Sequence, residues 1–380
     1  MVHSMTYRPG GISSQDMRAL TTDDLRQLRL RHQWLAQRDE RSAAQVVRQL
    51  CALQSQEWAS AQLAIHARTK SITQTGIQHA REVERSIVLS WSLRGTLHLV
   101  AAADLRWLLA LCGEGVIRST RRRFQQLGLT EAIREEALEA MSAILEREGA
   151  MNRADLAMAL GDYCIPTAGQ AIHHLLRFAA LRGLLCHGPE VAGKLTFVLL
   201  DQWLSDTAPA PADPLGELAR RYLLACAPAT RQDFAQWSGL RAAQVKTAWA
   251  AVSAHSRPVA TPAGEALMLA DQLDSESKET MLRLLPRYDN YLLAQKDRRF
   301  IIAPDHVRQV YPGGGLIRAC VLINGEAQAA WQLEKRRAGI RIIIMPFEGL
   351  DSAHLPLIEA ETESIGKFLN TNAELRVQDG

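Results

Sequence analysis

The chain has 380 residues, 47% apolar and 22% charged, with 44 Lys+Arg against 41 Asp+Glu for a net charge of +3; these ordinary globular values call for two to four domains and neither demand nor exclude a nucleic-acid partner. Cys51, Cys112, Cys164, Cys186, Cys226 and Cys320 form no CxxC pair, and the eleven His form no HExxH, which argues against a zinc ribbon, a disulfide framework and a bound metal or other cofactor and fits a reducing cytoplasm. No apolar run approaches the roughly 18 residues of a membrane span, so no membrane partner is expected.

In chain order, residues 1–18 carry Pro9, Gly10 and Gly11 without an apolar core and are expected to be a disordered leader. Apolar spacing then predicts helices near 22–38, 43–53 and 58–69. A hairpin of Ile87–Leu93 and Thr96–Val100 turns at Arg94-Gly95, and a helix follows over 102–111. Thr130 caps a helix running to about Glu148, Asn152 starts a short one ended by Gly161, and Thr167 opens a third ended by Gly183. Two apolar strands follow, Leu184–His187 and Leu195–Leu199, around a Gly/Pro turn. Helix, short helix, helix, hairpin is the order of a winged helix-turn-helix.

The three Pro of Asp206–Pro214 mark a stiff linker. Beyond it the order recurs: helices from Leu215 to Cys226, Thr230 to Gly239 and 241–252, then strands around Pro262-Ala263-Gly264. After Leu284-Leu285-Pro286 strands dominate. Ala319–Ile323 and Glu326–Leu333 are joined by Asn324-Gly325, the preferred type I′ turn. A strand over Gly339–Met345 and a helix over 352–369 complete the chain. The expected fold class is α+β: three tandem winged helix-turn-helix units over 19–128, 129–207 and 208–278, and a C-terminal β-rich, barrel-like domain over 279–380. Winged helices also serve protein interaction, but three in one chain favour DNA, because tandem units can wrap a duplex.

The segment of greatest chemical interest is Val46–Trp58. Val46, Val47, Leu50 and Leu53 form an inner helix face, and Gln54 and Gln56 follow at its end. Residues two apart in a continuous helix point about 200° from each other. The two amides share a pocket only if the helix stops and the pair is extended; otherwise they are solvated side chains. Thr96 and His98 share one face of a regular strand, with Trp91 and Arg94 beside them. These read either as DNA contacts or as an ordinary wing with one hydrogen-bonded His. Arg118, Arg121, Arg122 and Arg123 form a basic cluster, open to phosphate contact or simple solvation. Asp297, Arg298, Arg299 and His306 precede the Gly313–Gly315 loop, and Asp289 and Asp297 read equally as turn residues.

Taken together, Gln54-Ser55-Gln56 within LCALQSQEWASAQLAIHAR, then WSLRGTLHLVAAADLRWLL (91–109), DFAQWSGL (233–240), LLPRYDNYLLAQKDR (284–298) and YPGGG (311–315) resemble the AlkZ-like winged-helix DNA glycosylases over nearly the whole chain. The resemblance implies three winged helices around a central channel, a C-terminal β-rich domain, and excision of alkylated purines, including bulky N7-guanine adducts and interstrand crosslinks. It implies a Gln–aliphatic–Gln motif, matched by Gln54 and Gln56 but not by Ser55, whose side chain should face away from the pocket. It implies DNA or substrate contacts at Trp58, Trp91, Arg94, Thr96, His98, Arg298, Arg299 and His306.

The residue chemistry agrees. N7-alkylation makes guanine a cationic leaving group, so the enzyme mainly places water and stabilises the sugar. Neutral amides offer an acceptor to orient water and a donor to an oxygen. No lysine stands out as a Schiff-base nucleophile, so a monofunctional glycosylase is expected, needing no cofactor, acting as a monomer on double-stranded DNA containing alkylated purines. The competing readings are a winged-helix transcription regulator and a non-catalytic damaged-DNA binder; no long dimerisation helix supports the former.

Overall fold

Local sequence signals start and stop most of the helices, as the computed structural model, which describes residues 17–204, 208–272 and 280–378, makes visible. Most of the expected leader and positions 206–207 of the expected linker lie outside the described residues. Thr21 and Ser42 cap Thr22–His32 and Ala43–Leu50 through reciprocal bonds to Asp24 and Gln45. Trp58–His66 and Gln74–Glu82 follow. The second of these was not expected from sequence, because its buried apolar side chains are only Ile77 and Ala80. Strands Ile87–Trp91 and Leu97–Ala101 form a hairpin. The next helix, Ala102–Ser119, outruns its expected end because Cys112 and Val116 continue the buried stripe.

The second unit runs Glu131–Glu148, Arg153–Gly161 and Ala171–Leu181, then the hairpin Leu185–Val191 and Lys194–Leu199. Thr130 and Asn152 are the caps anticipated, but the third helix starts after Gln170, not at Thr167. The third unit runs Pro214–Cys226, Arg231–Ser238 and Ala242–Ser253, then the hairpin Ser256–Thr261 and Gly264–Leu269. Among the described residues no helix is long and apolar enough to cross a membrane.

The first two hairpins are not separate wings. They fuse into one sheet, ordered Leu53–Gln54, Leu97–Ala101, Ile87–Trp91, Leu185–Val191, Lys194–Leu199 and Met151–Asn152, with Leu89 opposite His187 at the join. The C-terminal sheet has five strands, ordered Ala373–Val377, Gly339–Pro346, Glu326–Arg336, Cys320–Ile323 and Leu282–Leu285. It is open, which corrects the barrel-like expectation. Both faces are already covered: Ile358 and Ile365 of helix Leu355–Phe368 pack on one, and Leu30, Leu35, Tyr291 and Ile302 on the other. A sheet buried on both faces gains nothing by curling shut.

Buried polar contacts lock the C-terminal module onto the first unit. The Arg68 guanidinium meets Asp289 at 2.7 Å, both side chains at 0% exposure, and also donates to the carbonyl of Ala64 and to Gln33. The Asn290 amide donates to the Ala52 carbonyl at 3.2 Å. Arg221 pairs with Asp104 at 3.1 Å and joins the third unit to the first.

Candidate active site

Helix Ala43–Leu50 ends sharply because Cys51 takes φ 64, ψ −50. Beyond it the chain is extended, and Leu53–Gln54 forms the edge of the six-stranded sheet, with Gln54 opposite His98. The Ser55 N–H donates to the Leu97 carbonyl at 2.8 Å and carries the pairing one residue further. On extended backbone, residues two apart share a face. The break at Cys51 thus takes Gln54 out of the helix and onto the strand, and Gln56 follows in a bend just beyond the strand end.

Ser55 is 1% exposed, and its hydroxyl donates to the Leu53 carbonyl at 2.8 Å and accepts from the Leu99 N–H at 3.1 Å. The hydroxyl is therefore satisfied within the sheet and takes the buried place where the family pattern carries an aliphatic group. Gln54 is 9% exposed and Gln56 is exposed. Neither amide has a hydrogen-bond partner among the described residues, and neither is sealed from solvent. One amide on the strand edge and one just beyond it, with donors and acceptors uncommitted, have the groups needed to bind water and a sugar or phosphate oxygen.

His98 is 2% exposed. Its Nδ1 lies 3.0 Å from the Thr96 carbonyl and 3.1 Å from the Ser92 hydroxyl. Burial, reinforced by the nearby Arg94 charge, pushes the imidazole pKa down to about 3, so the ring is neutral at pH 7. Ser90 lies opposite His98 on its other side, fully buried, its hydroxyl without a hydrogen-bond partner among the described residues.

The structure distributes the other expected contact residues unevenly. Trp91 is buried at the junction of the two hairpins, 5.2 Å from His187, 5.8 Å from His173 and stacked 6.2 Å from Phe197. An aromatic so enclosed packs the two hairpins together. Arg94 is engaged within the protein. Its guanidinium donates to the Trp237 carbonyl, and burial lowers its pKa to about 10. Gly239 admits this contact, since a Cβ there would sit 2.7 Å from Arg94 Cγ. Arg94 is thus a clasp to the third unit.

Thr96 donates its hydroxyl to the Leu93 carbonyl. Trp58, half-buried, lies 4.8 Å beneath the Arg81 guanidinium. Arg298 stacks 3.7 Å over Tyr311, exposed Arg299 is held by Asp297 at 2.6 Å, and His306 meets Glu348 at 2.9 Å. Asp289 is structural, through Arg68. In the basic cluster, Arg118 pairs with Glu114 and Arg123 with Gln126 and Gln170, while Arg121 and Arg122 are exposed.

Two supports of the site escaped the sequence reading. Asn290 anchors the backbone beside Gln54 from far along the chain, and no local pattern links them. Ser92 holds His98, and the shared strand face of 92, 96 and 98 across a hairpin was the available signal.

A family model described as DNA glycosylase AlkZ-like matches residues 47–368. An interstrand DNA cross-link repair glycosylase of Streptomyces sahachiroi is 27% identical over 352 residues, covering 88% of this chain and 92% of its own. The structure of Streptomyces sahachiroi DNA glycosylase AlkZ aligns with a TM-score of 0.80 at 23% identity, covering 95% of this chain and 100% of that one.

Proposed function

The chain belongs to the DNA glycosylase AlkZ-like family and is a DNA glycosylase, and from that premise we propose that it hydrolyses the N-glycosidic bond of N7-alkylated, cationic purines, with Gln54 and Gln56 as its catalytic residues. Water attacks C1′ as the C1′–N9 bond breaks. The bonding electrons pass to N9 and neutralise the purinium, and the water proton leaves to solvent. The amides orient the water and steady the oxocarbenium-like sugar. A Gln is too weak a base to drive loss of a neutral purine, so the substrate must arrive activated. Interstrand crosslinks at N7 fall within this class, in keeping with the name of the Streptomyces relative.

The observation that carries the reading is the helix break at Cys51, which puts Gln54 on the sheet edge and Gln56 just beyond it, both amides without a hydrogen-bond partner among the described residues. The three helix–helix–hairpin units act as winged helices around double-stranded DNA, within the boundaries read from sequence, the first two sharing a sheet. Trp58, Thr96, Arg298, Arg299 and His306 contact DNA or the lesion. The enzyme works as a cytoplasmic monomer, is monofunctional and leaves an abasic site.

The test uses duplexes carrying a single N7-methylguanine or an N7–N7 crosslink, incubated with purified protein and heated in alkali. Strand breaks at the lesion, with no protein adduct trapped by borohydride, are expected. Tight binding without breaks would establish a damaged-DNA binder instead, and a trapped adduct would establish a lyase.

A further inference from the structure

An amide has two ends, and a catalytic Gln must present the right one. A Gln54 that positions water needs its carbonyl oxygen toward the reaction and its NH₂ turned away. Nothing in the free protein fixes this choice, because the Gln54 amide has no hydrogen-bond partner among the described residues. The neighbour placed to fix it is His98.

Gln54 and His98 are directly opposite in an antiparallel ladder. The flanking bond from Ser55 N–H to Leu97 carbonyl makes them a non-hydrogen-bonded pair, the kind with Cα atoms only about 4.5 Å apart and side chains nearest. The His98 ring is itself fixed. Its Nδ1 lies 3.0 Å from the Thr96 carbonyl, which can only accept, so the ring proton sits on Nδ1. The Ser92 hydroxyl, 3.1 Å from the same nitrogen, complements that arrangement. A neutral ring with its proton on Nδ1 carries a lone pair on Nε2. Among the described residues the one hydrogen-bonding contact of Nε2 is the Thr96 hydroxyl at 3.4 Å, and that hydroxyl is already directed to the Leu93 carbonyl.

We propose that His98 is a positioning residue whose Nε2 lone pair accepts a hydrogen bond from the Gln54 NH₂, turning the Gln54 carbonyl toward the attacking water. The contact forms by rotation of the Gln54 amide when lesion DNA closes over the strand edge. Burial serves this role, because an imidazolium would donate from both nitrogens and turn the amide the other way. The inference rests on the assignment of Gln54 as catalytic.

Three substitutions and one spectrum test it. His98→Phe keeps a ring but removes the acceptor; it is expected to slow single-turnover excision of N7-methylguanine about a hundredfold while DNA affinity stays within threefold. His98→Gln restores a carbonyl acceptor and should recover to within tenfold of the native rate. In the Gln54→Ala background, His98→Phe should cost little further. Native-rate excision by a folded His98→Phe, or equal damage from Phe and Gln, would overturn the proposal. Should His98→Phe not fold, the imidazole ¹⁵N spectrum of the native protein decides. An unprotonated Nε2 at neutral pH is expected, and an Nε2–H tautomer overturns the claim. Absence of excision by the native protein would instead remove the Gln54 assignment, a separate failure.

Discussion

The Gln54–Gln56 strand end and the hairpin tip at Ser92–Thr96 are neighbours in one sheet, yet they treat polar groups in opposite ways. At the tip, Arg94 is bound to the Trp237 carbonyl, Thr96 to Leu93, and Ser92 to His98. At the strand end, neither amide has a hydrogen-bond partner among the described residues. Gln54 is nearly buried and Gln56 exposed, and neither amide is sealed from water, so both stay open to a ligand without the roughly 1–3 kcal/mol cost of an unpaired buried group. The contrast fits the proposed reading, in which the open strand end is the working surface and the paired tip is the joint that ties the first hairpin to the third unit.

That contrast is open to attack from both sides. The largest expected effect is on activity. The double variant Gln54→Ala/Gln56→Ala should lose at least about a thousandfold in single-turnover excision, a share of the barrier on the scale of a lost positioned water. Its melting temperature should match the native value, since no folded-state bond is lost; substantial unfolding would show the amides to be structural. Next comes the buttress behind the strand end. Asp289→Ala strands the fully buried Arg68 and should cost about 3–5 kcal/mol in denaturant unfolding. Arg94→Ala should cost about 2 kcal/mol by the same measurement, while DNA affinity, measured below the melting point, stays near native. A variant as stable as native but weak on DNA would make Arg94 a contact after all.

Smaller again is a pH effect. Burial holds the imidazoles of His66, His98 and His187 at pKa values of about 3, 3 and 4, against an ordinary 6.5. The unfolded chain therefore binds more protons than the folded one below pH 6.5. Stability should be flat above that pH and fall between pH 6.5 and 4, by roughly 1.4 kcal/mol per unit for each histidine. His66→Gln retains a polar partner for Ser364 and should visibly flatten the decline; an unchanged slope would mean that these rings are not buried neutral. Smallest is Arg299→Ala, expected to lower the slope of log affinity against log salt by about one unit and to leave excision of bound lesions intact.

Local rules carried most of the helices. The caps at Thr130, Asn152 and Thr230 and the stop at Gly239 stand where the sequence put them, and Asn324-Gly325 turns with positive φ at both residues. What escaped depends on distant partners. The Leu89–His187 join that fuses two hairpins, and the helix Leu355–Phe368 that makes barrel closure needless, have no local signature. The decisive break at Cys51 uses positive φ at a residue that is not glycine, so composition gave no warning. Trp91 and Arg94 were legible as residues next to the site, but a strand aromatic and an arginine read the same whether they face DNA or a neighbouring unit. Only packing separates the two.

The most direct test of the account is a crystal structure of the enzyme on duplex DNA carrying a cationic aza-sugar in place of the damaged nucleotide. The account predicts the Gln54 and Gln56 side chains within about 3.2 Å of one shared water or of the sugar itself. Amides found engaging separate groups away from C1′, with the water held by other residues, would contradict it.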